Sequence, residues 1–414
     1  MRFRGRRRRS PWLNVLFLAQ RVPHPPDRGD RITTHHVLRF LREAGHTVRI
    51  GCLAEDDRDL QAVAELGTLG HEVCAPRIDR RARRLLALRG LLTGEALTLP
   101  FFRVGALQRQ VAAWLRASPP DLVYVYSSGM AQYVLGWRGG RKLMQFAELD
   151  SDKWRQYAAL RSGLAGWIYR REAARLLAFE DRVAHDFDVS FVVSEVEQEL
   201  FVRSIPGVVP VVLRNGVDVE FFASRGDAGR EPHAVIFTGV MDYEPNVAGV
   251  TWFVRECWPA VRARVPDARF YVVGSRPTAA ITALDGHDGI TVTGRVDQTP
   301  PWFDRCALAI APLHLARGVQ NKVLEAMSMG LPVVSTTVAA QGLGALDPGT
   351  LCVADTAPAF AQEVLALLAD PARRRAIGAR ARACVCARFR WETQFEVLRQ
   401  VLAGLDAKRQ PESR

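Results

Sequence analysis

No run of about 18 apolar residues occurs in the 414-residue chain, so a bilayer-spanning helix is not expected. Lysine is scarce: four of the 56 basic residues are lysine (Lys142, Lys153, Lys322 and Lys408) and the other 52 are arginine. There is no Gly-x-Gly-x-x-Gly, no Walker phosphate loop and no Gly-x-Ser-x-Gly. Those absences disfavour nicotinamide or flavin binding, P-loop chemistry and a serine-hydrolase elbow. The seven cysteines, an odd number, include no Cys-x-x-Cys pair, and no His/Cys cluster suggests zinc. Cys384-Val385-Cys386 lies in an arginine-rich helical stretch and reads as packing. A reducing compartment without a disulfide framework follows.

What is present is enough for two cores. The length suits two domains, and 48% of the residues are apolar. The formal charge of +12 favours phosphate-rich ligands, acidic lipid or nucleic acid. The arginine skew itself reads as genome composition. Residues 1–9 resemble the basic region of a signal peptide, but the apolar segment after them, Trp12 to Ala19, is only eight residues and ends in Gln20-Arg21. That segment reads as a first buried strand, and residues 1–10 as a disordered basic tail, a candidate for touching anionic lipid.

Apolar strand-like runs alternate with helical periods along the chain. The expected strands of the first half are Trp12–Ala19, Thr47–Leu53, Glu72–Ala75, Leu122–Tyr126, Lys142–Phe146, Val189–Val193 and Val211–Leu213. Those of the second half are Ala234–Thr238, Arg269–Val273, Ile290–Thr293, Ala307–Ala311, Val333–Ser335 and Leu351–Val353. One helical segment, Asp152 to His185, is unusually long. This alternation predicts an α/β fold of parallel sheets with helices on both faces. Two doubly wound, Rossmann-like domains are expected at residues 11–223 and 233–388, joined by a polar, glycine-bearing linker at 224–232. A last helix, residues 389–407, carries Phe395, Leu398, Leu402 and Leu405 on one face and is expected to return to the first domain. Ligands of open parallel sheets bind beyond the strand carboxyl ends, which places the expected site in a cleft between the domains.

The most informative segment is Arg317 to Val334 (RGVQNKVLEAMSMGLPVV). Gly318 to Gln320 opens a helix whose first amides can meet a phosphate. Lys322 and Glu325, three apart after Asn321, share a helix face. The lysine can add charge to the phosphate site, and the carboxylate can accept two sugar hydroxyls. The bland alternative is an amphipathic helix with a surface Lys322–Glu325 pair. Further strand-end elements are Gly239, followed by a helix expected near Asn246, then Gly274-Ser275-Arg276, and Gly294-Arg295-Val296. Each offers backbone N–H groups, and the last two bring an arginine.

In the first half, the proline-rich loop Arg21 to Arg31 contains Gly29 and Asp30 and reads as a phosphate or acceptor contact, or as a plain connection. Asp150-Ser151-Asp152 could hold a metal, but the Asp-x-Asp spacing recurs at Asp57-Arg58-Asp59 and Asp186-Phe187-Asp188. Asp152 is expected to be a helix N-cap or an acceptor contact instead. No metal and no cofactor are expected. Arg80 to Leu92 is a basic amphipathic helix with Leu85, Leu88 and Leu92 on one face. It reads either as a helix for an anionic membrane or as a core-facing helix with solvated arginines.

These motifs together resemble the signature of retaining glycosyltransferases of family 4, which have the GT-B fold. Glu325 matches the second glutamate of that signature, and Arg317 stands where most members have the first. Asn215-Gly216-Val217-Asp218 is similar to the family's Asn-Gly-Val-Asp turn, and Gly294-Arg295-Val296 to its base-contacting loop. The stretches Arg21–Asp30, Leu149–Trp154 and Phe237–Asn246 narrow the resemblance to bacterial sugar transferases that accompany exosortase (PEP-CTERM) exopolysaccharide clusters. The sequence departs after the second domain's first strand, where many members have a lysine and this chain has Asp242, Tyr243 and Asn246.

The resemblance implies a metal-independent hexosyltransferase acting with retention, with a nucleotide-sugar as co-substrate and a glycan or lipid-linked acceptor. Lys322, assisted by Arg317 or Arg295, would stabilise the leaving diphosphate, together with the helix start at Gly318–Gln320. Glu325 would hold the ribose, Arg295–Val296 would meet the base, and Asn321, Gly239, Asn246, Gly274 and Gly294 would complete the donor site. Gly29, Asp30, Asp150 and Asp152 are the acceptor-side candidates. The expected location is cytoplasmic, with peripheral attachment to the inner face of the membrane through Arg80–Leu92, and no nucleic-acid partner. Two other readings stay open: a sugar-nucleotide epimerase of the same architecture, and a non-catalytic polyanion-binding protein.

Overall fold

A computed structural model describes residues 13–407 other than 225, 227, 228 and 317. The basic tail at residues 1–10 and the candidate Arg317 therefore lie outside the described residues.

The chain divides into two compact units. One runs to Val192 and takes in Glu197–Val212; the other takes Val193–Val196 and the described chain from Leu213 onward.

The first unit holds seven strands: β1 (Asn14–Leu18), β2 (Thr47–Gly51), β3 (Glu72–Cys74), β4 (Leu122–Tyr126), β5 (Arg141–Ala147), β6 (Val189–Val192) and β7 (Val211–Val212). They lie in the order β3-β2-β1-β4-β5-β6-β7, and every pairing is parallel. All five residues of β4 are buried, as expected of a strand covered on both faces. The Phe17 and Tyr124 rings stack across β1 and β4 at 5.2 Å.

The second unit holds β8 (Ala234–Thr238), β9 (Arg269–Val273), β10 (Ile290–Gly294), β11 (Leu308–Ala311), β12 (Val333–Ser335) and β13 (Cys352–Val353). Their order is β10-β9-β8-β11-β12-β13, again all parallel. The order reverses direction at β1/β4 in one sheet and at β8/β11 in the other. Such switch points are where open α/β sheets bind ligands.

The expected long helix is two helices, Asp150–Ala159 and Gly163–Asp186. Gly163 at φ +63° turns the chain between them. Asp152 does not cap either one. The N-cap of the first is Leu149, without a side-chain bond, and Asp152 sits within its first turn. The expected basic helix is also split, into Arg80–Ala87 and Arg89–Thr93. The last helix, Trp391–Ala407, groups with the second unit. There the Asn215-Gly216-Val217 turn meets its start: the Val217 N–H donates to the Phe389 carbonyl at 2.8 Å. A Cβ on Gly216 would lie 2.8 Å from the Trp391 backbone nitrogen, so only glycine fits there.

Candidate active site

Three glycines end three neighbouring strands of the second sheet and lace together. The Gly239 N–H donates to the Val273 carbonyl at 3.0 Å, and the Gly274 N–H to the Gly294 carbonyl at 3.1 Å. Gly274, at φ +152°, lies so close to the Gly239 carbonyl that a side chain there would collide with it. Gly294 takes φ +64° where β10 breaks register. The sheet edge beyond β8, β9 and β10 is thus bare backbone, open to close approach by a ligand.

The Asn321–Ser328 helix faces this edge. Its apolar residues Val323, Leu324, Ala326 and Met327 are buried in the core of the second unit, which leaves Lys322 and Glu325 half-buried on another side. Its N-cap, Gln320, makes no side-chain cap bond, and Gly318 before it takes φ +58°.

The Lys322 ammonium donates to Asn246 Oδ1 at 2.6 Å and lies 4.5 Å from the centroid of the Phe237 ring. The Asn246 amide donates in turn to the Val240 carbonyl at 2.9 Å, so its oxygen is held toward the lysine. The helix carrying Asn246 begins at Glu244, with Pro245 in its first turn, two residues earlier than expected. A Cβ at Gly239 would lie 2.7 Å from Asn246 Nδ2 and 3.4 Å from Lys322 Nζ. Asn215 Nδ2 donates to Asn321 Oδ1 at 3.3 Å, which ties the Asn-Gly-Val-Asp turn to the helix start.

Removal from water lowers Lys322 to about 7, opposed by the neighbouring Glu325. It raises Glu325 to about 7, opposed by Lys322. Among the described residues no ion pair links the two, so the surface-pair alternative does not describe them. Perturbed groups of opposite sign beside bare backbone and an open helix start form a pocket chemistry suited to a phosphate and a hydroxylated ring.

Gly239, Asn246, Asn321, Lys322 and Glu325 are thus brought together, and Gly274 and Gly294 join them along the sheet edge. Val296 is half-buried and Arg295 exposed just beyond β10. Arg276, at φ +58°, pairs with Asp242 at 3.6 Å, so the stretch that departs from the resembled family receives an arginine from the next strand end. Sequence reasoning did not find Phe237 as the ring beneath Lys322, because a buried strand phenylalanine carries no signal beyond its apolarity.

In the first unit, the charges of Asp30, Glu148 and Asp150 all bear on the Tyr126 hydroxyl at the end of β4. Burial pushes Tyr126 well up, and the charges of Asp30, Glu148 and Asp150 push it further. Burial would raise Asp30, but the Arg21 guanidinium, and then Arg28, outweigh it and hold the carboxylate below its usual range. Gly29 opens the Gly29–Glu43 helix beside it. Asp152 pairs with Arg155 and accepts from the Gln156 amide at 3.1 Å.

Glu180 was not foreseen. It is fully buried, accepts from the Asp150 N–H at 3.0 Å and pairs with the Ser151 hydroxyl. Desolvation, and then the Asp150 charge, raise it to about 8. Its one signal was a carboxylate in the stripe Leu176, Phe179, Val183. Ser127 and Ala147, at φ +74° and +64°, end β4 and β5 in a conformation that ordinary side chains rarely adopt. Such strain concentrates at functional edges.

Residues 232–370, about a third of the chain, match the family model described as glycosyl transferases group 1. A phosphatidyl-myo-inositol mannosyltransferase of Propionibacterium freudenreichii is 30% identical over 141 residues, covering 32% of this chain and 34% of the relative. The chain spans about a third of the length of the curated relatives it matches. Among solved structures, sucrose-phosphate synthase from Thermosynechococcus elongatus aligns over 95% of this chain and 100% of its own, at TM-score 0.71 and 18% identity. Anabaena HepE in complex with UDP aligns over 94% and 100%, at TM-score 0.67 and 14% identity. The fold is therefore an α/β fold of GT-B type, built from two Rossmann-like units.

Proposed function

We propose that the protein is a glycosyltransferase that moves a hexose from a nucleotide-sugar to a glycan or lipid-linked acceptor, with retention at the anomeric carbon and without a metal. The observation that carries this reading is Lys322, held by Asn246 against the bare backbone of Gly239, with Glu325 one turn further along the helix. The match of this unit to the group 1 family supports it, and favours transfer over the epimerase and polyanion-binding readings. That HepE was crystallised with UDP supports a nucleoside diphosphate as the donor's leaving half.

As the glycosidic bond breaks, the diphosphate gains negative charge. Groups already aimed at that charge are the largest catalytic lever. Lys322 supplies the ammonium, and the arriving diphosphate raises its proton affinity, so it binds in the charged form. The amides from Gly318 to Asn321 add the helix start, with Arg295 assisting from the end of β10. Glu325 accepts the ribose hydroxyls, and the backbone at Gly294–Val296 meets the base. Asp30 and Asp150 line the acceptor side. Asp30 is held as an ion by Arg21, so it orients a hydroxyl rather than removing its proton.

The sequence resemblance supports a role in exopolysaccharide biosynthesis. Among the described residues no helix is long and apolar enough to cross a membrane. We place the protein in the cytoplasm, against the inner face of the membrane through Arg80–Leu92. Proton NMR of the product tests the stereochemistry. An α-linked donor gives an α-linked product with chelator present. An inverted product, or one formed only with added magnesium, contradicts the reading.

A further inference from the structure

The surface of the first unit carries a second patch that the transfer site does not use. Leu85, Leu88 and Leu92, expected on one helix face, all point to solvent, at 70%, 49% and 90% exposure. The turn between the helices Asp150–Ala159 and Gly163–Asp186 exposes a matching set: Leu160 at 72%, Leu164 at 74% and Trp167 at 51%. Large apolar side chains this open, in two separate segments, are unusual for surface that faces only water.

The helices that carry the two sets are linked. Arg171 donates to the Gly90 carbonyl at 2.6 Å and to the Glu95 carbonyl at 3.1 Å, which pins the long helix to the Arg89–Thr93 helix. Leu164, Trp167 and Arg171 follow the i, i+3, i+7 spacing of one helix face, so the pinned face continues into the exposed apolar one. Glu172 adds a second clip, accepting from the Thr98 N–H at 2.9 Å.

The charge within the two segments has one sign. Residues 80–93 hold five arginines and no carboxylate, and residues 160–171 hold three arginines and no carboxylate. Arg80 is tied to Glu55, Arg83 to the Phe101 carbonyl and Arg171 to Gly90. Arg81, Arg84, Arg89, Arg161 and Arg170 are exposed, and no described carboxylate pairs with them. A leucine and tryptophan surface ringed by unpaired arginines is complementary to an anionic bilayer. The apolar side chains enter the acyl boundary while the guanidinium groups meet phosphate.

We infer that this composite surface, formed by the Arg80–Thr93 helices and the Leu160–Trp167 turn together, docks the first unit on anionic lipid. The inference extends the membrane placement given under the proposed function and rests on it; its test uses no nucleotide-sugar, so its failure removes that placement and leaves the transferase reading standing.

The test is flotation of the full chain with phosphatidylglycerol-rich and with pure phosphatidylcholine vesicles at low salt. Every variant keeps the same first ten residues, so the readout is the change from wild type. Wild type binds the anionic vesicles and not the neutral ones. Leu92→Glu and Trp167→Glu each lower binding at least about tenfold, and Arg84→Ala with Arg89→Ala lowers it about fivefold per arginine. Val353→Glu, an equally exposed apolar position in the second unit, leaves binding unchanged. Circular dichroism confirms that the variants fold. Equal binding to neutral vesicles, undiminished binding by Trp167→Glu, or a dimer in gel filtration that Leu92→Glu dissolves would each overturn the inference, the last by assigning the patch to a second copy of the chain.

Discussion

The Lys322 ammonium and the Asn246 side-chain oxygen lie 2.6 Å apart, although the residues are 76 positions apart in sequence. The contact joins the helices that follow β8 and β11, the two strands that flank the switch point of the second sheet. It holds in place an ammonium that removal from water lowers to about 7, against the opposing charge of Glu325.

Replacing Lys322 by alanine is expected to lower kcat on the order of a hundredfold or more, the usual cost of losing one charge-stabilising donor. Asn246→Ala, which leaves the lysine unheld, is expected to have a smaller effect. Steady-state kinetics beside thermal unfolding separates these losses from misfolding. Wild-type rates in Lys322→Ala would remove it from the site.

Gly239→Ala probes the same contact from the backbone side. The added methyl would sit 2.7 Å from the Asn246 amide nitrogen and 3.4 Å from Lys322, so the amide must shift. The fold is expected to survive and nucleoside diphosphate affinity to fall about tenfold or more, as read by calorimetry. Unchanged affinity would mean that the ligand does not approach this edge.

The pH dependence of diphosphate affinity has two limbs. Lys322, lowered to about 7, loses its charge as pH rises, so binding must take up a proton and weakens above neutrality. Glu325, raised to about 7, loses its charge as pH falls, so its hold on ribose hydroxyls weakens below neutrality. A maximum near neutral pH is expected, with the acid limb absent in Glu325→Gln and the alkaline limb absent in Lys322→Met. A flat profile in the wild type would show that neither group titrates on binding.

Glu180 links pH to stability. Its folded proton affinity is raised to about 8 from an ordinary value of 4.5, so its contribution is fully present below about 4.5 and is lost as pH rises through 8. Relative to Glu180→Gln, the wild type is expected to lose a few kcal/mol between these limits, seen as a falling difference in Tm. Parallel Tm curves for the two proteins would indicate that Glu180 is already ionised in the folded state.

All thirteen strands were readable in the sequence to within about two residues, because doubly covered parallel strands are short apolar runs with little else in them. The residues that gather at the second sheet's edge were readable for a different reason: glycines at strand ends and a Lys-x-x-Glu helix start are local patterns. What was not readable depended on contacts across distance. Asn246 became a partner of Lys322, and Asn215 of Asn321, only through the crossing of elements far apart in sequence. The break between the two helices near Leu160 was marked by Ser162-Gly163, but the apolar period continued through it and masked the stop. Asp152 looked like a cap because the helix start was placed two residues late. Leu85, Leu88 and Leu92 had the spacing of a core face, and periodicity does not tell an inward face from one turned outward.

The most direct measurement is a thermal-shift screen of the full chain with UDP, GDP, ADP and CMP, with and without magnesium, repeated on Glu325→Ala. The account expects stabilisation by one nucleoside diphosphate, independent of magnesium and lost in the variant. No shift with any nucleotide, or an equal shift in Glu325→Ala, would contradict the assignment of this site to a nucleotide-sugar donor.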